Sequence, residues 1–167
     1  MTFAEFNGLN PEQAIAELMR CCGASKWASV VAEARPYVNL GHIKQLSDLA
    51  WAGCQEEDFM EAFSHHPKIG DMESLAKKFA STATWSEGEQ GAVTMASVDV
   101  LEGLAQGNQE YEAQNGFIFI VCATGKSASE MLELLQARMP NDRETELAIA
   151  AGEQNKITHL RLEKLFS

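Results

Sequence analysis

An all-α fold, a single-domain helical bundle of seven or more helices, is predicted for this 167-residue chain by three observations. Apolar residues recur at spacings of three and four along most of the sequence, which lines one face of successive helices. Capping residues, glycines and prolines punctuate these runs. The single segment rich in β-branched and aromatic residues, GFIFIVCA from Gly116 to Ala123, reads as extended chain but has no second strand to pair with.

Taken in order, Asn10-Pro11-Glu12-Gln13 opens the first predicted helix. Asn10 caps it, Pro11 occupies the first helical position where no amide hydrogen is needed, and Gln13 can reach back. Ile15, Leu18, Met19 and Cys22 follow at helical spacing, and the helix is expected to end near Gly23. Ser25 can open a second helix, with Trp27, Val30, Val31 and Ala34 on one face, ending before Pro36. A third carries Ile43, Leu46, Leu49 and Ala50 and stops at Gly53; a fourth carries Phe59, Met60 and Phe63; Leu75 and Phe79 mark a short fifth. Ser81 to Trp85 reads as a polar loop. Ser86 opens a long helical pattern through Met95, Val98, Leu101 and Leu104 that Gly107 weakens or ends. Ser127 to Glu130 forms a capping box before Met131, Leu134 and Leu135, and Asn141 opens a last helix running to Phe166. No internal repeat or linker-like composition break divides the chain.

A composition that is 46% hydrophobic is ample for one core, and 167 residues would crowd two domains. The net charge of −11 and pI near 4.8 argue against nucleic acid as a partner, because binding a phosphate backbone needs clustered Lys and Arg. The longest apolar stretch, Phe117 to Ala123, is too short to span a membrane, and MTFAEFNGLN lacks the pattern of a secretion signal. Of four cysteines, Cys21 and Cys22 are adjacent while Cys54 and Cys122 stand alone, so neither a CxxC pair nor a disulfide framework is present. Reduced thiols and a cytoplasmic location are expected. The final Leu-Phe-Ser does not match a peroxisomal address.

Three constellations can carry chemistry. The first is His66-Pro67-Lys68-Ile69-Gly70-Asp71. The residue before a proline is pushed toward extended geometry, so His66 sits at a helix corner, where a scaffold can present a catalytic side chain; a surface turn is the plainer reading. The second is Ser86-Glu87-Gly88-Glu89-Gln90. A capping box explains Ser86 and Glu89, but it requires neither Gln90, whose amide both donates and accepts, nor Gly88, which costs a helix about 1 kcal/mol relative to alanine. The third is Arg161, which falls in or beside the row Leu147, Ala150, Gln154, Ile157 and Leu165 of the last helix. A guanidinium facing inward needs an anion, or else forms an intramolecular salt bridge or snorkels. Arg138 poses the same question, but its place in the last turn of a helix accounts for it through the helix dipole.

Metal ligation by His65, His66 and Asp71 is not supported, since no HExxH, CxxC or three-ligand spacing accompanies them. GxGxxG, Walker and GxSxG motifs are missing too. Gly125-Lys126-Ser127 lacks the upstream glycine of a phosphate loop. Cys122, in an apolar segment, reads as a packing residue.

These residues resemble the family of 2-oxo-4-hydroxy-4-carboxy-5-ureidoimidazoline (OHCU) decarboxylases of urate breakdown. The resemblance covers nearly the whole chain: HPKIGD at 66–71, SEGEQ at 86–90, NQEYEAQNGFIFIVCATGKSA at 108–128, LxxLxxR ending at Arg138, and KITHLRLEKL at 156–165. Asn115 departs from the pattern, standing where an aromatic is more usual. The resemblance implies an all-helical, cofactor-free, metal-free and usually homodimeric carboxy-lyase that converts OHCU to (S)-allantoin. It implies His66 as the catalytic histidine and Glu89 as the carboxylate that orients and polarises it. Gln90 would hold the substrate's ring amides and Arg161 a negatively charged or carbonyl group. Pro67, Ser86, Glu87 and Gly88 would contact substrate, together with Phe119, Ile120, Val121, Cys122 and Ala123, whose backbone amides suit carbonyl oxygens. Two other readings stay open on the residue types: a non-catalytic acidic helical interaction module, and a lyase acting on a related ureido or hydantoin acid.

Overall fold

A computed structural model describes residues 1–67 and 87–167 of the chain, with side chains for 1–67 and 98–167. Among the described residues there are eight α-helices and no strand, as the periodicity predicts. They are α1 (Phe3–Asn7), α2 (Pro11–Cys21), α3 (Ser25–Glu33), α4 (Leu40–Ala52), α5 (Glu56–Ser64), α6 (Glu87–Asn115), α7 (Ala128–Arg138) and α8 (Arg143–Leu165). The predicted short helix at Leu75 and Phe79, the loop from Ser81 to Trp85 and the Ser86 cap lie outside the described residues. The chain divides into two compact units, one formed by Met1–His66, Ile120–Cys122 and Leu147–Ser167, the other by Pro67–Phe119 and Ala123–Glu146. No helix among the described residues is long and apolar enough to cross a membrane.

In the first unit, local signals set the helix starts. Thr2 and Glu5 form a capping box that begins α1, a helix too short for periodicity to announce. Asn10 and Gln13 form the expected box on α2, with Pro11 in its first turn. Asn39 caps α4 by accepting from the His42 amide at 2.9 Å, and Gly53 follows its last turn. α2 stops at Cys21, short of the predicted Gly23, because Cys22 already adopts extended backbone (φ −146°, ψ 121°). Ser25 does not cap α3 but is its first residue; its amide and hydroxyl both donate to the Glu61 carboxylate of α5.

α3 is the hub of this unit, packing against α2, α4 and α5. Its buried face is Trp27, Ala28, Val31 and Ala32, while Val30, expected inward, is exposed, as is Leu49 of α4. Burying each large apolar side chain of this core, such as Phe6, Leu18, Trp27 or Ile43, contributes about 1.5–3 kcal/mol. The polar edges of its two tryptophans are satisfied: Trp27 Nε1 donates to Ser47 Oγ at 3.2 Å, and Trp51 Nε1 to the Ala151 carbonyl of α8 at 3.0 Å. None of the four cysteines forms a disulfide. Burial pushes the Cys21 and Cys54 thiols up to about 11 and that of Cys22 up to about 12, so all three keep their protons at neutral pH.

In the second unit α6 packs on α7. Gly107, expected to weaken or end the helix, does not end it. A Cβ there would lie 2.5 Å from Leu135 Cδ2, so this glycine serves the close approach of α7 rather than a helix stop. The stop is Gly116, whose φ of +79° ends α6 in the left-handed conformation. The segment 116–127 that follows is irregular, without ladder partners among the described residues. Ser127 and Glu130 form the expected capping box of α7. α8 begins two residues later than Asn141: Asp142 accepts from the Thr145 amide at 2.7 Å, while Asn141 Nδ2 donates to Glu146. Asn115, the departure from the family pattern, is buried and donates through Nδ2 to the Tyr111 carbonyl at 3.1 Å; among the described residues its Oδ1 has no partner.

Candidate active site

His66 stands where the sequence places it, at the end of α5. The His65 and His66 amides donate to the Ala62 and Phe63 carbonyls, each at 3.2 Å, closing the last turn, and Pro67 cannot continue it. Contacts from Glu61, His65 and His66 hold this corner. Glu61 ties α5 to the start of α3 through Ser25. The His65 ring lies over Gly23, where a Cβ would sit 2.4 Å from His65 Cγ. His66 Nε2 lies 2.5 Å from Gln154 Oε1 of α8.

The Gly23 contact yields a direct prediction. The crowded atoms include His65 Cβ at 2.6 Å, which follows the backbone, so rotating the ring alone does not relieve the clash. Gly23→Ala is expected to destabilise the protein by about 1–3 kcal/mol, the cost of overpacking. Urea unfolding with an unchanged m-value would show it as a lowered midpoint.

Gln154 is completely buried. Its Nε2 donates to Thr158 Oγ1 at 3.2 Å, and the Thr158 hydroxyl donates back to the Gln154 carbonyl at 3.0 Å. Thr158 also meets the Cys22 thiol. Arg161 follows on the same face of α8, half-buried, and its Nη1 donates to the Cys21 carbonyl at 3.3 Å. That carbonyl belongs to the last turn of α2, where backbone oxygens lack helical partners and a cation is favourable. A helix-end contact, rather than an ion pair, is therefore what Arg161 makes among the described residues.

Arg138 requires a correction. The helix dipole does not account for it: Arg138 is buried, and its Nε donates to Glu146 Oε1 at 2.7 Å. The inward arginine with an internal carboxylate is thus Arg138, in the second unit, and it also lies 4.6 Å from the Phe119 ring centroid. In the first unit, Ile120 is buried and Val121 and Cys122 are half-buried; Phe119 and Ala123, of the second unit, are half-buried as well. Pro67 is exposed. The backbone of Glu87, Gly88, Glu89 and Gln90 lies in the first turn of α6, but their side chains, and all of Ser86, are outside the described residues, as are Lys68 to Asp71. Among the described residues no cluster of three or more His, Cys, Asp or Glu side chains could hold a metal ion.

Gln154 is the residue that pattern reading placed in the inward row without giving it a role. A buried carboxamide in a row otherwise filled by Ala150, Leu147 and Ile157 was the available signal, since a buried amide needs partners as a guanidinium does.

Residues 7–163 match the family described as OHCU decarboxylase. A protein of Arabidopsis thaliana named uric acid degradation bifunctional protein TTL is 40% identical over 149 residues, 88% of this chain and 45% of its own. A Xenopus laevis 2-oxo-4-hydroxy-4-carboxy-5-ureidoimidazoline decarboxylase is 30% identical over 101 residues, 60% of this chain and 57% of its own. The chain thus spans about half the length of these curated relatives. A crystal structure of OHCU decarboxylase in the presence of (S)-allantoin is similar with a TM-score of 0.72 at 35% identity, over 90% of this chain and 96% of that one. With a match that runs through both compact units, the chain belongs to the OHCU decarboxylase family.

Proposed function

We propose that this chain, as one domain over residues 1–167, decarboxylates OHCU to (S)-allantoin in the cytoplasm, as a homodimer and without metal or cofactor. The observation that carries the reading is His66: an imidazole at a proline-ended helix corner, held by a buried amide, in a chain that matches the family over 7–163. The similarity to a structure solved with (S)-allantoin supports the product.

The chemistry suits these residue types. When the bond to the departing carboxylate breaks, carbon dioxide leaves and its electron pair enters the substrate's own conjugated imidazoline ring. The resulting carbanion then takes up one proton. The protein's part is to orient the scissile carboxylate, stabilise the charge developing on the ring and deliver the proton to one face. In this proposal His66 handles the proton and Glu89 polarises it. Gln90 holds the ring amides and Arg161 a carboxylate or carbonyl oxygen. Pro67, Ser86, Glu87 and Gly88 line the pocket, and the backbone amides of Phe119 to Ala123 grip carbonyl oxygens. The acidic charge of the chain disfavours nucleic acid as a partner.

The test is stereochemical. OHCU decays spontaneously to racemic allantoin, so OHCU generated in situ with the purified chain is expected to give a clear excess of the (S) enantiomer, followed by circular dichroism. Racemic product at the uncatalysed rate would remove the assignment.

A further inference from the structure

We propose that Gln154 is a positioning residue for His66: its carboxamide, oriented by Thr158, accepts the Nε2 proton of the imidazole and fixes which ring nitrogen trades a proton with substrate. Thr158 sets the orientation of the amide. Its one hydroxyl proton is given to the Gln154 carbonyl at 3.0 Å, so toward the Gln154 side chain it presents a lone pair. The group facing it must be a donor, which is the amide Nε2 at 3.2 Å. Gln154 Oε1 is thereby turned to His66, and an oxygen can only accept. The neutral ring in this site therefore carries its proton on Nε2. Acid–base exchange with substrate then falls to Nδ1, which takes up a proton to form the imidazolium before it can deliver one.

Burial makes the arrangement firm. Gln154 is fully buried and Thr158 nearly so, so no solvent competes for the amide. An amide flip would set a donor against His66 and leave Oε1 facing a hydroxyl whose proton is already committed. The two residues are four apart on α8 and act as a unit within one helix face. Choosing the tautomer of a catalytic imidazole is a large lever on rate, because the wrong nitrogen cannot perform the transfer.

The role in catalysis rests on the function proposed above; the tautomer does not, and the two are separable. Long-range proton–nitrogen NMR on the full chain labelled at histidine, at a pH where the His66 ring is neutral, is expected to show the Nε2–H form. The Nδ1–H form, or an equal mixture, overturns the inference whether or not the chain turns over OHCU. Gln154→Met keeps the volume and removes the acceptor; it is expected to lose the tautomer bias and to lower kcat by about tenfold or more while KM stays within about twofold. Gln154→Glu keeps an acceptor oxygen toward His66 but loses the donor to Thr158, and is expected to retain the bias with only part of the wild-type kcat. Thr158→Val, which frees the amide without touching His66, is expected to weaken the bias in the same direction and covers the case that Gln154→Met folds poorly. A folded Gln154→Met with wild-type kcat and tautomer sinks the proposal. Racemic product from wild type with the Nε2–H form intact refutes the decarboxylase reading instead.

Discussion

His66→Ala is expected to lower the enzymatic rate of (S)-allantoin formation by about 10²–10⁴-fold, the usual contribution of a well-placed acid–base group, and to abolish the enantiomeric excess. Loss of handedness is the sharper readout. A chain that still bound OHCU but could not deliver the proton to one face would leave protonation to water, which approaches both. The substitution also strips Gln154 Oε1 of its partner in a buried site, and an unsatisfied acceptor costs about 1–3 kcal/mol. A lowered urea midpoint is therefore expected alongside the loss of activity. His66→Gln separates the two effects, since its amide can still donate to Gln154 but has no titratable proton: stability should recover toward wild type while activity stays lost. Formation of (S)-allantoin by His66→Ala at the wild-type rate and excess would dismiss the role given to this histidine.

Glu146→Leu is expected to cost about 3–5 kcal/mol of stability, enough to unfold a large share of a marginally stable chain. The carboxylate is completely buried and, among the described residues, accepts from Arg138 Nε at 2.7 Å, Tyr111 Oη at 2.5 Å and Asn141 Nδ2 at 2.9 Å. Burial, and then the bond to Glu146, push the Tyr111 hydroxyl upward, so it stays protonated and serves as donor to the carboxylate. Arg138 in turn lies over the Phe119 ring and donates through Nη2 to Tyr111 at 3.2 Å. Removing the carboxylate breaks a buried charge pair from one side by taking away the acceptor bonded to Arg138 Nε, and that is what costs. The double variant Arg138→Met/Glu146→Leu should regain much of the loss, because replacing both members of a buried pair by apolar groups is often neutral or better. A Glu146→Leu single variant within about 1 kcal/mol of wild type would show that water reaches this pair.

Much of this architecture was legible because its causes are local. Asn10, Ser127 and Gly53 act on backbone groups a few residues away, and the boundaries read from them hold. Reading failed where a local residue answered to a distant one. Gly107 has the same intrinsic preference as any helical glycine, yet it lies inside α6 because Leu135 needs the space its side chain would fill. Ser25 has the composition of a cap but spends its hydroxyl on Glu61 of another helix. Arg138 and Arg161 are indistinguishable by spacing and charge; what separates them is that Glu146 faces one and the end of α2 faces the other.

From the order of residues alone came the all-α class, the corner that presents His66 and the family resemblance, since helix periodicity, caps and X-Pro geometry act within about four residues along the chain. Folding settled the partners. His66 meets Gln154 across 88 positions, Tyr111 meets Glu146 across 35, and Arg161 meets Cys21 across 140. Spacing along a helix says which way a side chain faces, but what it finds there depends on a second helix whose position no local preference encodes.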